Sequence, residues 1–170
     1  MNLNTLPQGD IRLLEHETAQ LLLNGTELAR LAYVAADGTP RVFPTMFQWT
    51  GEEFVMGTFP GAAKIAALRA RPDVAITIDT ASFPPQQVLL RGKAEVTEVE
   101  GVVPEYAQAH HRYAGPEQGA RNIAEVDQPG LRMFRVAVRP AWVGVLDFQT
   151  RLPGGATPDE FARRGQSSRP

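Results

Sequence analysis

The sequence predicts a mainly β protein, a six- to seven-stranded antiparallel barrel with peripheral helices. Three observations lead there. Short segments of strand character recur along the chain, and most are joined by tight turns rich in Gly, Pro and Asp. Regular strand–helix alternation is missing, and no GxGxxG follows a strand, which disfavours a doubly wound sheet. A glycine at position 92, inside a long strand pattern, marks a bend of the kind that lets a sheet curl.

In chain order, residues 10–24 place Ile11, Leu14, Leu21, Leu22 and Leu23 among polar residues, which predicts one amphipathic helix stopped by Asn24 and Gly25. Residues 28–36 read as a strand, Asp37 to Pro40 as a turn, and 41–49 as a second strand. A tight connection at 50–52 leads into a third strand, 53–58, and this much is an antiparallel meander. A helix over 62–70 follows, then a strand over 73–80 that alternates Val74, Ile76 and Ile78 with Ala75, Thr77 and Asp79. The long strand 86–99 comes next. Residues 102–124 read as one or two short helices, and 131–139 and 142–148 as two last strands separated at Pro140. The final twenty residues have the composition of a mobile tail, so the domain is placed over 1–150 and the tail over 151–170.

The 170 residues are 43% hydrophobic, enough for one domain with a real core. A formal charge of −2 gives no global basic field, which argues against a nucleic-acid partner. No cysteine is present, so neither a disulfide framework nor a thiolate zinc site is available. With no charged leader or long apolar run at the N-terminus, the expected setting is the cytoplasm, without membrane association.

The stretch from Phe54 to Leu68, FVMGTFPGAAKIAAL, carries the first functional signal. An apolar strand ends in small residues and gives way to a helix with a lysine in its first turn. Unpaired backbone N–H groups and a partial positive charge gather at such a helix start, so Lys64 and the Thr58 hydroxyl would converge on a phosphate there. The alternative is a solvated helix lysine. Yet Lys64 and Lys93 are the only lysines, against fifteen arginines, so lysine is not this chain's default cation. A nucleoside-triphosphate loop is excluded, because Ala63 stands where that motif needs glycine and Ile65 where it needs serine or threonine. Other candidates have ordinary readings: Phe43 and Phe47 as core, Trp49 and Trp142 as packed rings, Arg41 as a surface residue. His110 and His111 are adjacent, so they cannot face one metal as an i, i+4 pair would, and no metal is expected.

The ordered set Asp37-Gly38, Pro44, Thr58, Lys64, Arg69 to Val74 (RARPDV), Gln87-Val88 and Gly92-Lys93-Ala94 resembles the FMN-binding split-barrel family related to pyridoxamine 5'-phosphate oxidase, over roughly residues 26–149. The resemblance implies a split β-barrel homodimer with FMN at the subunit interface, acting as an oxidoreductase on a small molecule. It assigns Gly57, Thr58 and Lys64 to the phosphate end, with Arg41 as a further cation. It lays the strand Phe43, Pro44, Thr45 and Met46 along the ring, and brings Gln87 to the ring. A same-fold reductase using the deazaflavin coenzyme is the alternative, and a non-catalytic flavin- or haem-binding barrel the next. Two departures stand out. Ala63 replaces the arginine that such oxidases place before the phosphate lysine, and the C-terminal substrate motif is absent, with Phe148 and Arg151 its nearest counterparts. No catalytic side chain is identified.

Overall fold

The computed structural model describes residues 2–167, with side chains through residue 164. Its strands are β1 (Ala29–Val34), β2 (Pro40–Thr45), β3 (Gln48–Trp49), β4 (Phe54–Thr58), β5 (Asp73–Asp79), β6 (Gln86–Glu100) and β7 (Arg132–Asp147). The helices are α1 (Glu17–Leu23), α2 (Ala63–Ala70), α3 (Pro104–Ala114), α4 (Pro116–Val126) and α5 (Pro158–Ser167). All seven strands form one antiparallel sheet in the order β2-β1-β5-β6-β7-β4-β3. Its two edges, β2 and β3, are adjacent in sequence with only Met46 and Phe47 between them. A seven-stranded sheet whose ends are tied by two residues must curl round on itself, yet β2 and β3 do not pair. The result is a barrel with one open seam, the split-barrel architecture.

Alternation places one face of the sheet inside. Leu31, Ile76, Leu90 and Val143 stand side by side across β1, β5, β6 and β7, and all are buried. Phe54, Met56, Val136 and Val138 continue that interior across β4 and β7, and Phe47 stacks on Phe54 with ring centroids 4.8 Å apart.

The last two predicted strands are a single strand of sixteen residues. Pro140 does not break it, because the ladder slips there: Arg91 pairs with Trp142 but Gly92 pairs with Pro140, leaving Ala141 as the extra residue of a bulge. A residue without an N–H fits where the ladder is already interrupted. Gly92 is required opposite it, since a Cβ would lie 2.6 Å from the Arg139 carbonyl oxygen and 2.9 Å from Val138 Cγ1. Gly92→Ala should lower stability by about 1–3 kcal/mol, seen as a reduced urea midpoint at unchanged slope.

The predicted first helix is also divided differently. Residues Ile11–Glu15 form a 3-10 turn and α1 starts only after His16, whose ring caps it: the Thr18 N–H donates to Nδ1 at 3.1 Å. The other ring nitrogen meets Asn4 Oδ1 at 2.7 Å, which makes His16 a neutral Nε2–H tautomer. Burial and the nearby Arg151 charge hold its pKa below 6.5, with Glu17 and Asp147 opposing more weakly. The unfolded chain therefore takes up a proton near pH 6.5 that the folded one refuses. Stability is unaffected above that pH and falls as pH drops through it, by at most about 1.4 kcal/mol per pH unit for this group. Urea unfolding at pH 7.5 and 5.5 should show the loss, and His16→Asn, which keeps a capping side chain, should reduce it.

Packing continues past residue 150, where composition alone suggests a tail. Arg151 is fully buried, donating to the carbonyl oxygens of Asn4 (2.5 Å), Leu6 (2.6 Å) and Val145 (3.2 Å), and Ala156 is buried beyond it. This explains why Arg151 is no counterpart of a substrate-binding arginine: its guanidinium ties the N-terminal segment to the end of β7. Residues 168–170 of the expected tail lie outside the described residues. Among the described residues no helix is long and apolar enough to cross a membrane.

Candidate functional site

The site grows from the seam. β2 is an edge strand along its whole length, and β4 pairs with β3 only at Phe54 and Val55, so Met56, Gly57 and Thr58 also have one unpaired side. After Thr58 the chain turns through Pro60 and Gly61, whose φ of +85° suits a residue without Cβ, and enters α2 at Ala63. Ala62 at the N-cap offers no side-chain acceptor, which leaves the first N–H groups of α2 open to another acceptor.

Lys64, the second residue of α2, is half-buried with its Nζ 4.5 Å from the centroid of the Phe43 ring on β2. Phe43 in turn meets Tyr33 edge-on at 6.0 Å. Among the described residues Lys64 has no hydrogen bond and no carboxylate partner, and desolvation alone lowers its pKa from the ordinary lysine value. The Thr58 side chain is buried and likewise without a hydrogen-bond partner among the described residues. A half-buried ammonium over an aromatic face, an unbonded hydroxyl at the end of the preceding strand and an uncapped helix start are each suited to an oxyanion. This fits a phosphate.

The other predicted residues fall into two groups. Pro44 is exposed on the edge strand, where its missing N–H costs no ladder bond; Thr45 is half-buried with its hydroxyl donating to the Met46 carbonyl at 2.8 Å. Met46 lies in the link between β2 and β3. These stay together along the seam with Phe43. Arg41 lies two residues further along the same side of β2, but its guanidinium is drawn to the turn, paired with Asp37 at 3.0 Å and bonded to Thr39. Hydrogen bonds from the Thr39 hydroxyl and N–H, with a smaller contribution from the Arg41 charge, hold the Asp37 carboxyl down to about 2.

Gly57 serves α3: a Cβ there would lie 2.9 Å from Tyr106 Cβ and from Met133 Cε, so its bareness lets Tyr106 sit down on β4. A small cavity of about 50 Å³ remains between Tyr106, Gly57 and Met46. Arg135 fixes the start of α3 by reaching Glu105 (2.8 Å) and Glu53 (3.0 Å). Gln87 lies on β6, three strands from β2 in the sheet order, where it pairs with Asp79 on β5 and Leu146 on β7. Arg69, five residues along α2, lays its guanidinium over Phe134 at 5.2 Å and has no carboxylate partner among the described residues. It edges a groove of about 750 Å³ on the outer side of α2, with Gly61, Ala66 and Phe134, that includes neither Lys64 nor Thr58. No cluster of three or more His, Cys, Asp or Glu that could hold a metal occurs among the described residues.

Sequence reasoning missed Phe43 as the bed of Lys64, because nothing in an isolated strand pattern says which helix residue will cover it. It also missed Tyr106, for which the only signal was the glycine at 57, read there as part of the phosphate end.

Comparison with known proteins agrees with this fold. A family model described as pyridoxamine 5'-phosphate oxidase matches residues 14–142. No curated protein matches the chain. Among solved structures, one titled F420 reductase is 26% identical at a TM-score of 0.57, covering 74% of this chain and 94% of that one. The General Stress Protein 26 from Bacillus anthracis str. Sterne is 14% identical at a TM-score of 0.57, covering 81% of this chain and 95% of that one. A heme binding protein from Mycobacterium smegmatis is 20% identical at a TM-score of 0.54, covering 76% of this chain and 52% of that one. At such identities the last two speak for the fold alone. With the family model spanning most of the sheet, from just before α1 to the bulge in β7, the chain belongs to the pyridoxamine 5'-phosphate oxidase family.

Proposed function

We propose that the protein is an FMN-dependent oxidoreductase acting on a small molecule, a cytoplasmic homodimer whose cofactor lies at the subunit interface. The observation that carries this is Lys64: a desolvated ammonium with no anionic partner among the described residues, set over Phe43 at the start of an uncapped helix. Lys64, the Thr58 hydroxyl and the α2 N–H groups hold the phosphate. The unpaired edge of β2 from Phe43 to Thr45, with Met46 in the link that follows, offers backbone groups to the polar side of the ring, except at Pro44, which has no N–H. Gln87 is assigned to the ring from the second protomer as part of the same proposal. The flavin, when bound, supplies the hydride chemistry. The chain's own residues position it and shield it, and none of them is assigned a proton transfer.

One observation favours a second reading. The F420 reductase likeness, at 26% identity over nearly all of that chain, supports a deazaflavin coenzyme instead, and Arg69 gives α2 a second free cation for a longer anionic tail. Visible absorbance of the purified protein and mass spectrometry of what heat releases test the proposal. Released FMN, or saturable binding of added FMN, is the expected result. Binding of the deazaflavin coenzyme without FMN would transfer the site to the second reading, and binding of neither would refute both.

A further inference from the structure

Away from the seam, the bulge between β6 and β7 forms a second concave surface of about 540 Å³, lined by Val74, Ala141 and Trp142 with Arg91, Lys93 and Arg139 around them. The geometry points to a binding site here for a small oxyanion carried on an apolar ring, with Arg91 as the group that takes the anion. It lies apart from the proposed phosphate cradle: Thr58 pairs with Phe134 on β7, whereas this surface lies at residues 139–142 of the same strand.

Trp142 is built into place. A Cβ on Gly9 would lie 2.6 Å from its Nε1, and one on Gly144 would lie 2.7 Å from its Cη2, so both ends of the indole rest against glycines. The N-terminal segment is pinned beneath it. The Gly9 N–H donates to the Val143 carbonyl at 2.8 Å, and the Gln8 side chain donates to the Val145 carbonyl (2.7 Å) and accepts from its N–H (2.9 Å). Arg91 lies over the indole with its guanidinium carbon 4.1 Å from the ring centroid. The contact with the ring holds the guanidinium in place, and no hydrogen-bond acceptor among the described residues takes its N–H donors.

Those donors have no taker. Among the described residues Arg91 has neither hydrogen bond nor ion pair, while the other arginines of this outer surface are engaged, Arg30 by Asp79 and Arg139 by Glu52. The single carboxylate in the lining, Asp73, is paired with Lys93 at 2.8 Å, and both side chains are more than two-thirds exposed, so an incoming anion can compete for the lysine. Val74, Ala141 and the free part of the indole supply an apolar floor. A planar cationic fork beside such a floor suits a carboxylate or phosphate monoester on a ring, and the volume suits a small molecule.

The test titrates the full chain with benzoate, phenyl phosphate and inorganic phosphate while following the indole N–H resonances. The chain has two tryptophans, so buried Trp49 serves as the internal reference. Saturable movement of the Trp142 resonance by benzoate or by phenyl phosphate, with Trp49 still, is expected, and whichever moves it names the oxyanion. Arg91→Gln should weaken that binding about tenfold or more, Arg91→Lys should restore only part of it, and FMN affinity should be unchanged in both. Three results would each overturn the proposal: no saturable shift from either aromatic anion, equal affinity in the parent and Arg91→Gln, or inorganic phosphate binding as tightly as phenyl phosphate.

Discussion

Lys64→Ala should weaken FMN binding by about 1–3 kcal/mol, the range for losing a hydrogen bond to a charged group, while the fold survives. The side chain is half-buried but lies at the rim, over one face of Phe43, so its removal uncovers an aromatic edge and leaves no enclosed cavity. Removing a desolvated ammonium even relieves the folded state of a poorly solvated charge, so thermal stability should hold or rise slightly. Lys93→Ala is the matched control. Lys93 is exposed, bound to Asp73 and far along β6 from the seam, so FMN affinity should not respond to it. Fluorescence quenching of the flavin reads both variants on one scale.

Arg151→Met should lower unfolding free energy by roughly 3 kcal/mol, and it should do so without changing FMN affinity. Methionine fills much of the space but leaves the carbonyls of Asn4, Leu6 and Val145 without the donors they now share. Unmet acceptors in a buried place each carry a desolvation penalty, whereas the exposed ion pairs of this protein contribute little singly. The loss should fall on the joint between the N-terminal segment and the end of β7. Hydrogen exchange would then rise first in residues 4–9 and 145–152, ahead of the central strands.

These two residues show what could be read in advance. Lys64 was legible because its chemistry is local: a strand that ends, a glycine turn and a helix that begins fix where the lysine must stand, and each step has its own residue signature. Arg151 was not, because two of its three acceptors, the carbonyls of Asn4 and Leu6, lie nearly a whole chain length away, and an isolated arginine before Leu152 and Pro153 looks like any surface cation. The sheet falls between. Strand patterning located β1, β4, β5 and β6 to within a residue or two: alternation marks β5, whose one face is inside, and a continuous apolar run marks β4, which is buried on both faces. At Pro140 the same reasoning divided one strand in two. A proline is a reliable stop only where its neighbours need its N–H, and the bulge opposite Gly92 removes that need. Arg41 shows the same dependence on context: the Asp37 that makes the turn lies four residues away and pairs with its guanidinium.

The phosphate cradle at Lys64 is the claim on which the functional reading turns, and a cycle of ligand and residue tests it most directly. FMN and riboflavin differ only in the phosphate, so the parent protein should bind FMN more tightly, and Lys64→Ala should abolish most of that preference while leaving riboflavin affinity nearly unchanged. If the parent bound the two ligands equally, or if Lys64→Ala weakened both by the same factor, the cradle would not hold a phosphate and Lys64 would be an ordinary helix lysine.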